Sequence, residues 1–212
     1  MSSILTVITP AAGSDLLTLA DLKLDLGITG TAGDDQLSSY IRQASIIIAS
    51  RCRRTLARET VMEAFRVGCP RPSIEPAPLR LRRYPVDQVS VAVTEAGVIL
   101  SSGSWELDPG AGLLWRVDAA VNRTYWPKGS ITVTYSGGYL LPAEAPADLA
   151  RACAIIVNQF RFATPLDPTL KAETVDGVGR QEFWVGSLPS SSAGIPAEAQ
   201  SLIAPYRAFP LA

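Results

Sequence analysis

The stretch 33-GDDQLSSYIRQASIIIASRCRRTL-56 decides how this chain is read. Leu37, Tyr40, Ile41, Ala44, Ile47, Ile48 and Cys52 fall three and four residues apart, while Ser38, Ser39, Arg42, Gln43 and Ser50 fill most of the other side. That spacing predicts a long amphipathic helix with one face buried against a partner helix. Asp34 or Asp35 is expected to cap it, because a short side-chain oxygen can take an otherwise unpaired N–H of the first turn. Upstream, Thr18 is expected to cap a shorter helix, Leu19–Leu26, with Asp21 in its first turn and Gly27 ending it. Residues 1–17 read as an extended arm.

Beyond Thr60 the period changes from helical to alternating. ETVMEAFRV reads as a strand, Pro70, Pro72, Pro76 and Pro78 then forbid regular structure, and LRLRRYPV resumes with Leu79 and Leu81 on one side and Arg80 and Arg82 on the other. VSVAVT, EAGVIL and the pair around Asp108-Pro109-Gly110 continue the series. SITVTY is the clearest strand, with Ile131, Val133 and Tyr135 on one face. Short strands at this spacing imply a small antiparallel sandwich or barrel. Helical signal returns in APADLARACAIIVNQFRF, whose stripe is Leu149, Cys153, Ile156, Val157 and Phe160. A hairpin turning at Asp176-Gly177, a Ser-rich linker and a last short helix broken at Pro205 follow. The expected class is α+β: a helical core (18–59 with 142–163), an inserted antiparallel β domain (60–141), and terminal arms (1–17 and 164–212).

Composition narrows the function. The chain's 212 residues include 19 basic and 20 acidic ones, a net charge of −1, where a protein gripping phosphates carries an excess of Lys and Arg. No apolar run approaches the length of a membrane span. There is no histidine, which removes Ser-His-Asp and Cys-His chemistry and leaves the three cysteines short of a metal site. Cys52 and Cys153 lie on apolar helix faces as small hydrophobes. The sequence calls for no cofactor, and no carboxylate pair is singled out for acid–base work. Two clusters of arginine have two readings: Arg51, Arg54, Arg80 and Arg82 as ion-pair partners at a subunit contact, or a solvated helix end near the C-terminal carbonyls. Trp105, Trp115, Tyr125 and Trp126 also have two: core of the small sheet, or a stacking platform for a ligand such as a carbohydrate.

Taken in order, TLADLKLDLGI, DDQLSSYIRQASIIIASRCRRTL, LRRYPVDQVSVAV, SITVTYSGGY and P-A-DLARACAIIV resemble the head–tail connector (adaptor) proteins of long-tailed bacteriophages and of gene transfer agents. The resemblance spans most of residues 18–162. It implies a helical bundle core and a homo-oligomeric ring, typically a dodecamer, beneath the portal protein. The other side of the ring would receive the stopper or tail-terminator protein, and DNA would pass through the lumen without sequence-specific binding. It places the chain in the virion neck; from the residues themselves, an N-terminus without the basic start of a signal peptide leaves synthesis in the bacterial cytoplasm as the expectation, with no membrane and no catalysis. It further implies that the C-terminal segment docks on the portal through Ile195, Leu202, Ile203, Tyr206, Arg207, Phe209 and Leu211, so that removing residues 195–212 should spare the core and prevent attachment. Two other functions fit the residues less well: a ligand-binding β module of a virion, or a carboxylate hydrolase.

Overall fold

The computed structural model describes residues 2–69, 75–163, 172–175, 179–182 and 195–208. The chain divides into two units, Met1–Ser14 with Arg54–Glu144, and Asp15–Arg53 with Ala145–Ala212. The class is α+β, as the change of period predicts.

The first unit holds strands β1 (Ser2–Thr9), β2 (Glu59–Val67), β3 (Leu79–Arg80), β4 (Ala92–Glu95), β5 (Val98–Ile99), β6 (Trp105–Asp108), β7 (Leu113–Val117), β8 (Arg123–Thr124) and β9 (Gly129–Gly137). One antiparallel sheet runs β1-β2-β9-β4-β5; a second runs β3-β7-β6, with β8 also on β7. The alternation of β2 turns Val61, Glu63, Phe65 and Val67 inward. These pair in register with β9, Val61 opposite Tyr135 and Phe65 opposite Ile131. Ile131, Val133 and Tyr135 are fully buried, and Leu79, Leu81, Leu114 and Trp126 complete one core drawn from both sheets. The β4–β5 hairpin turns at Ala96-Gly97, both with positive φ, the geometry that matches strand twist in a two-residue loop. At the end of β9, Gly138 has φ +105, and a Cβ there would lie 2.5 Å from the Ala57 carbonyl oxygen. The Ser-Gly-Gly run therefore serves backbone crossing rather than a phosphate.

Residues 2–9, read from the sequence as part of an arm, are instead the edge strand of the larger sheet, paired with β2 from Ser2–Arg66 to Thr9–Thr60. Their alternation is weak in the sequence because Ile4, out of phase with the inward residues of β2, and Ile8, at a break in register, are apolar yet exposed. The helical unit likewise reaches further than the periodicity indicated at its C-terminal end.

That second unit contains α1 (Leu19–Leu26), α2 (Asp34–Cys52), α3 (Ala147–Ala163) and α4 (Ala197–Ile203), with a backbone-paired hairpin of β10 (Ala172–Val175) and β11 (Gly179–Glu182). The turn expected at Asp176-Gly177 lies outside the described residues. Thr18 caps α1 through the Asp21 N–H, and Gly27 ends it in the left-handed region, as expected. Gly33, not Asp34 or Asp35, is the N-cap of α2. Asp34 pairs instead with Lys23 of α1 at 2.8 Å, and both aspartates stand in the first turn, where the helix dipole favours them. The helix stops at Cys52 rather than Leu56 because Arg53 turns to φ +54. Its buried face is Leu37, Ile41, Ala44, Ser45, Ile48 and Cys52. α3 packs on α2 and α4, burying Leu149, Ala152, Cys153, Ile156 and Val157, and α1 touches both α2 and α3. Tyr40 of α2 meets Phe160 of α3 at 5.8 Å between ring centres.

Candidate functional site

Glu63 is the one buried acid among the described residues, at 0% exposure in the middle of β2. A lone carboxylate there would cost several kcal/mol, so its partners decide its role. Ser3 Oγ of β1 donates to Oε1 at 2.6 Å, Tyr135 Oη of β9 donates to Oε2 at 2.9 Å, and the Arg82 backbone N–H donates to Oε2 at 3.1 Å. The Arg82 guanidinium completes an ion pair at 3.2 Å and also bonds the Ser3 hydroxyl. Burial, with the Glu63 charge beside it, holds the Tyr135 phenol above its usual range, so it stays a donor. This carboxylate is saturated with donors. It ties β1, β2, β9 and the segment after β3 together rather than standing ready to move a proton. Its signal in the sequence is its phase: Glu63 falls between Val61 and Phe65 on the inward side of an alternating run.

The arginines divide. Arg82 is spent on Glu63. Arg54 stacks on the Tyr84 ring at 3.9 Å, with Tyr139 on its far side at 6.0 Å. Arg83 pairs with Glu59 at 2.7 Å, and Arg58 with Glu144 at 2.6 Å. Arg51 sits half-buried in the last turn of α2, which fits the helix-end reading, while Arg80 is exposed. Of the residues expected to touch a portal, Ile195 and Ile203 are buried within their own unit, because α4 packs on α3. Leu202 and Tyr206 are half-buried, with the Tyr206 hydroxyl on Asp148, and Arg207 is exposed. Phe209 and Leu211 lie outside the described residues.

Trp126 is buried, and Trp105 packs against the same core. Trp115 lies under the Arg123 guanidinium at 4.0 Å, and Arg123 is held by Glu106. These rings are used as packing, and no open stacking platform forms from Trp105 and Trp126. Burial pushes the Cys153 thiol up to about 11, with the Ser45 hydroxyl beside its sulfur at 3.9 Å. Ser45, absent from the apolar stripe, is buried because it also takes the Leu16 N–H. Among the described residues no group of His, Cys, Asp and Glu is placed to hold a metal ion, and no helix is long and apolar enough to cross a membrane.

Exposed large apolar side chains gather at both open edges of the larger sheet. Ile4 and Ile8 lie on β1, and Val98 and Ile99 on β5. Residues 16–95 match the model of the phage gp6-like head–tail connector family. Over its whole length the fold is similar to a chain in the neck of an empty gene transfer agent particle computed with C6 symmetry (TM-score 0.54, 20% identity, covering 99% of this chain and 97% of that one). A chain in the neck of a native particle computed with C12 symmetry is similar in fold too (TM-score 0.53, 18% identity, 99% and 97% covered). A chain of the native gene transfer agent virion matches at TM-score 0.54 and 19% identity, with the same coverage. No curated protein matches in sequence. The resemblance to head–tail connectors read from the ordered motifs is thus borne out by the family match and by the neck structures.

Proposed function

We propose that this chain is a structural, non-enzymatic head–tail adaptor of a phage or phage-like particle. It forms a ring, with twelve copies the expected number, under the portal in the virion neck. The ring joins the DNA-filled head to a stopper or tail-terminator protein and leaves a passage for DNA. The helices α1 to α4 are its connector-like bundle core, and the β unit is an insertion completed by β1. The observation that carries this reading is the agreement of two comparisons: a connector-family match over residues 16–95 and a likeness in fold, over nearly the whole chain, to subunits of gene transfer agent necks. A net charge of −1 suits a conduit, since a strongly basic lumen would hold its cargo.

The segment after α4 is the portal-facing candidate, with Tyr206 and Arg207 as its described surface residues. Ile195 and Ile203 support it from inside. Deleting 195–212 would therefore strip the packing from α3, so the sound test is a cut after Ala208 combined with Arg207→Glu. Particles carrying that shorter cut should fill with DNA and fail to join tails. Light scattering on the purified chain, alone and with portal, tests the ring. A strict monomer that never joins portal or particles would overturn the proposal.

A further inference from the structure

We propose that the two open edges of the five-stranded sheet are a head-to-tail contact between copies of this chain, the β1 edge of one copy taking the β5 edge of the next. This rests on the ring reading above. β1 is eight residues long and holds no charge and no proline; of the devices that keep an edge strand from pairing it has a register break at Ile8, which leaves Ser2–Val7 regular. Among the described residues no strand pairs with its outer edge, where the Arg82 guanidinium bonds the Ser3 carbonyl, and Ile4 and Ile8 are 68% and 54% exposed. At the other end of the same sheet, β5 is also an edge, with Val98 and Ile99 at 66% and 73%. The charges beside the two edges differ: a cation stands near β1, and a carboxylate already paired with an arginine stands near β5. Exposed Arg66 stands across from Ser2 on β1, and Glu95, shared with Arg116, stands across from Val98.

A closed ring needs two unlike patches on every copy, whereas a two-fold dimer needs one patch that matches itself. One sheet with two different apolar edges meets the first requirement. A β1–β1 pairing would close a dimer and leave Val98 and Ile99 bare, which is why the occupant is a second copy in the head-to-tail sense. Strand addition supplies backbone hydrogen bonds, and the alternate side chains supply the apolar contact.

The test uses two full-length variants, Ile4→Lys with Ile8→Lys and Val98→Lys with Ile99→Lys. All four side chains are exposed, so thermal melting should match the wild type. Light scattering and electron microscopy of the wild type should show rings. Each variant alone should fall to single-chain mass. An equimolar mixture should give pairs containing one copy of each, because one intact β1 edge and one intact β5 edge remain. Rings that persist in either variant, or a mixture that stays single, would overturn this contact while the connector reading stands. A wild type that stays single alone, with portal and in particles would sink the connector reading and this contact with it. Should the lysines disturb folding, Ile4→Cys mixed with Ile99→Cys, both in a Cys69→Ser background, decides the matter. An interchain disulfide confined to the mixture supports the contact, and its absence in wild-type-like rings refutes it.

Discussion

Replacing Glu63 by glutamine tests whether the buried carboxylate holds the larger sheet together. The amide keeps the shape and removes the charge. Its NH2 group must face either the Arg82 backbone N–H and the Tyr135 hydroxyl, or the Ser3 hydroxyl and the Arg82 guanidinium. Ser3 can rotate to accept, so the second orientation is the less costly, and it loses the ion pair. Removing one partner of a fully buried pair costs about 3–5 kcal/mol. Arg82 is 42% exposed and can turn its guanidinium to water, which discounts that figure to about 2–3 kcal/mol. For a chain of this size the melting temperature should fall by roughly 5–10 °C. Amide exchange should quicken first in β1, which is an edge strand and holds Ser3. Urea unfolding and hydrogen exchange measure both. In the double variant with Arg82→Gln, the loss should fall short of the sum of the single losses by about 1 kcal/mol or more. A Glu63→Gln protein within about 0.5 kcal/mol of wild type, with β1 protection unchanged, would refute the argument.

Gly138→Ala should cost more than about 3 kcal/mol in urea or abolish folding of the β unit, because the new Cβ meets the Ala57 carbonyl at a φ of +105. Trp126→Ala should cost about 3–5 kcal/mol by the same measurement; a variant of full stability would reopen the ligand-platform reading. Stability should fall as pH rises from about 9 toward 11. The Cys153 thiol ionises near 9 when unfolded and near 11 in the fold, so only the unfolded chain gives up the proton in that window, and the raised Tyr135 phenol acts in the same direction above about 10. Thermal melts across that range, compared with Cys153→Ala, check the sign. At pH 8 a maleimide should react with Cys69, which is exposed, and leave Cys52 and Cys153 until the chain unfolds.

The helices were legible because their burial is one-sided: Leu37, Ile41, Ala44 and Ile48 keep a period that only a helix explains, and Thr18 and Gly27 carry their own local chemistry. The strand run from Glu59 to Gly137 was legible for the parallel reason, since Val61 to Val67 and Ile131 to Tyr135 alternate. What escaped depends on contacts distant in sequence. β1 looks like an arm until β2 is placed beside it. Asp34 looks like a cap until Lys23 is brought to it by α1. Ile195 and Ile203 look open in the sequence, yet both are buried, Ile203 on the helix that packs on α3. Glu63 looks like one more surface acid unless its phase is followed through the strand. The ordered motifs gave the connector resemblance, yet which side chains are left open for contact follows from burial, which periodicity does not supply.

The chain passes between its two units at 14–15, 53–54 and 144–145, so neither unit is a continuous stretch. The central pairing of the larger sheet joins Glu59–Val67 to Gly129–Gly137, and its edge strand is made within the first nine residues. During synthesis β1 therefore emerges before β2, the strand it pairs with. It can pair once Val67 is made, while the central β2–β9 pairing waits for Gly129–Gly137, and closure of such distant pairs is slow. That delay sets a window in which the uncharged β1 segment is open to premature association, and in which a chaperone would change the yield of folded chain.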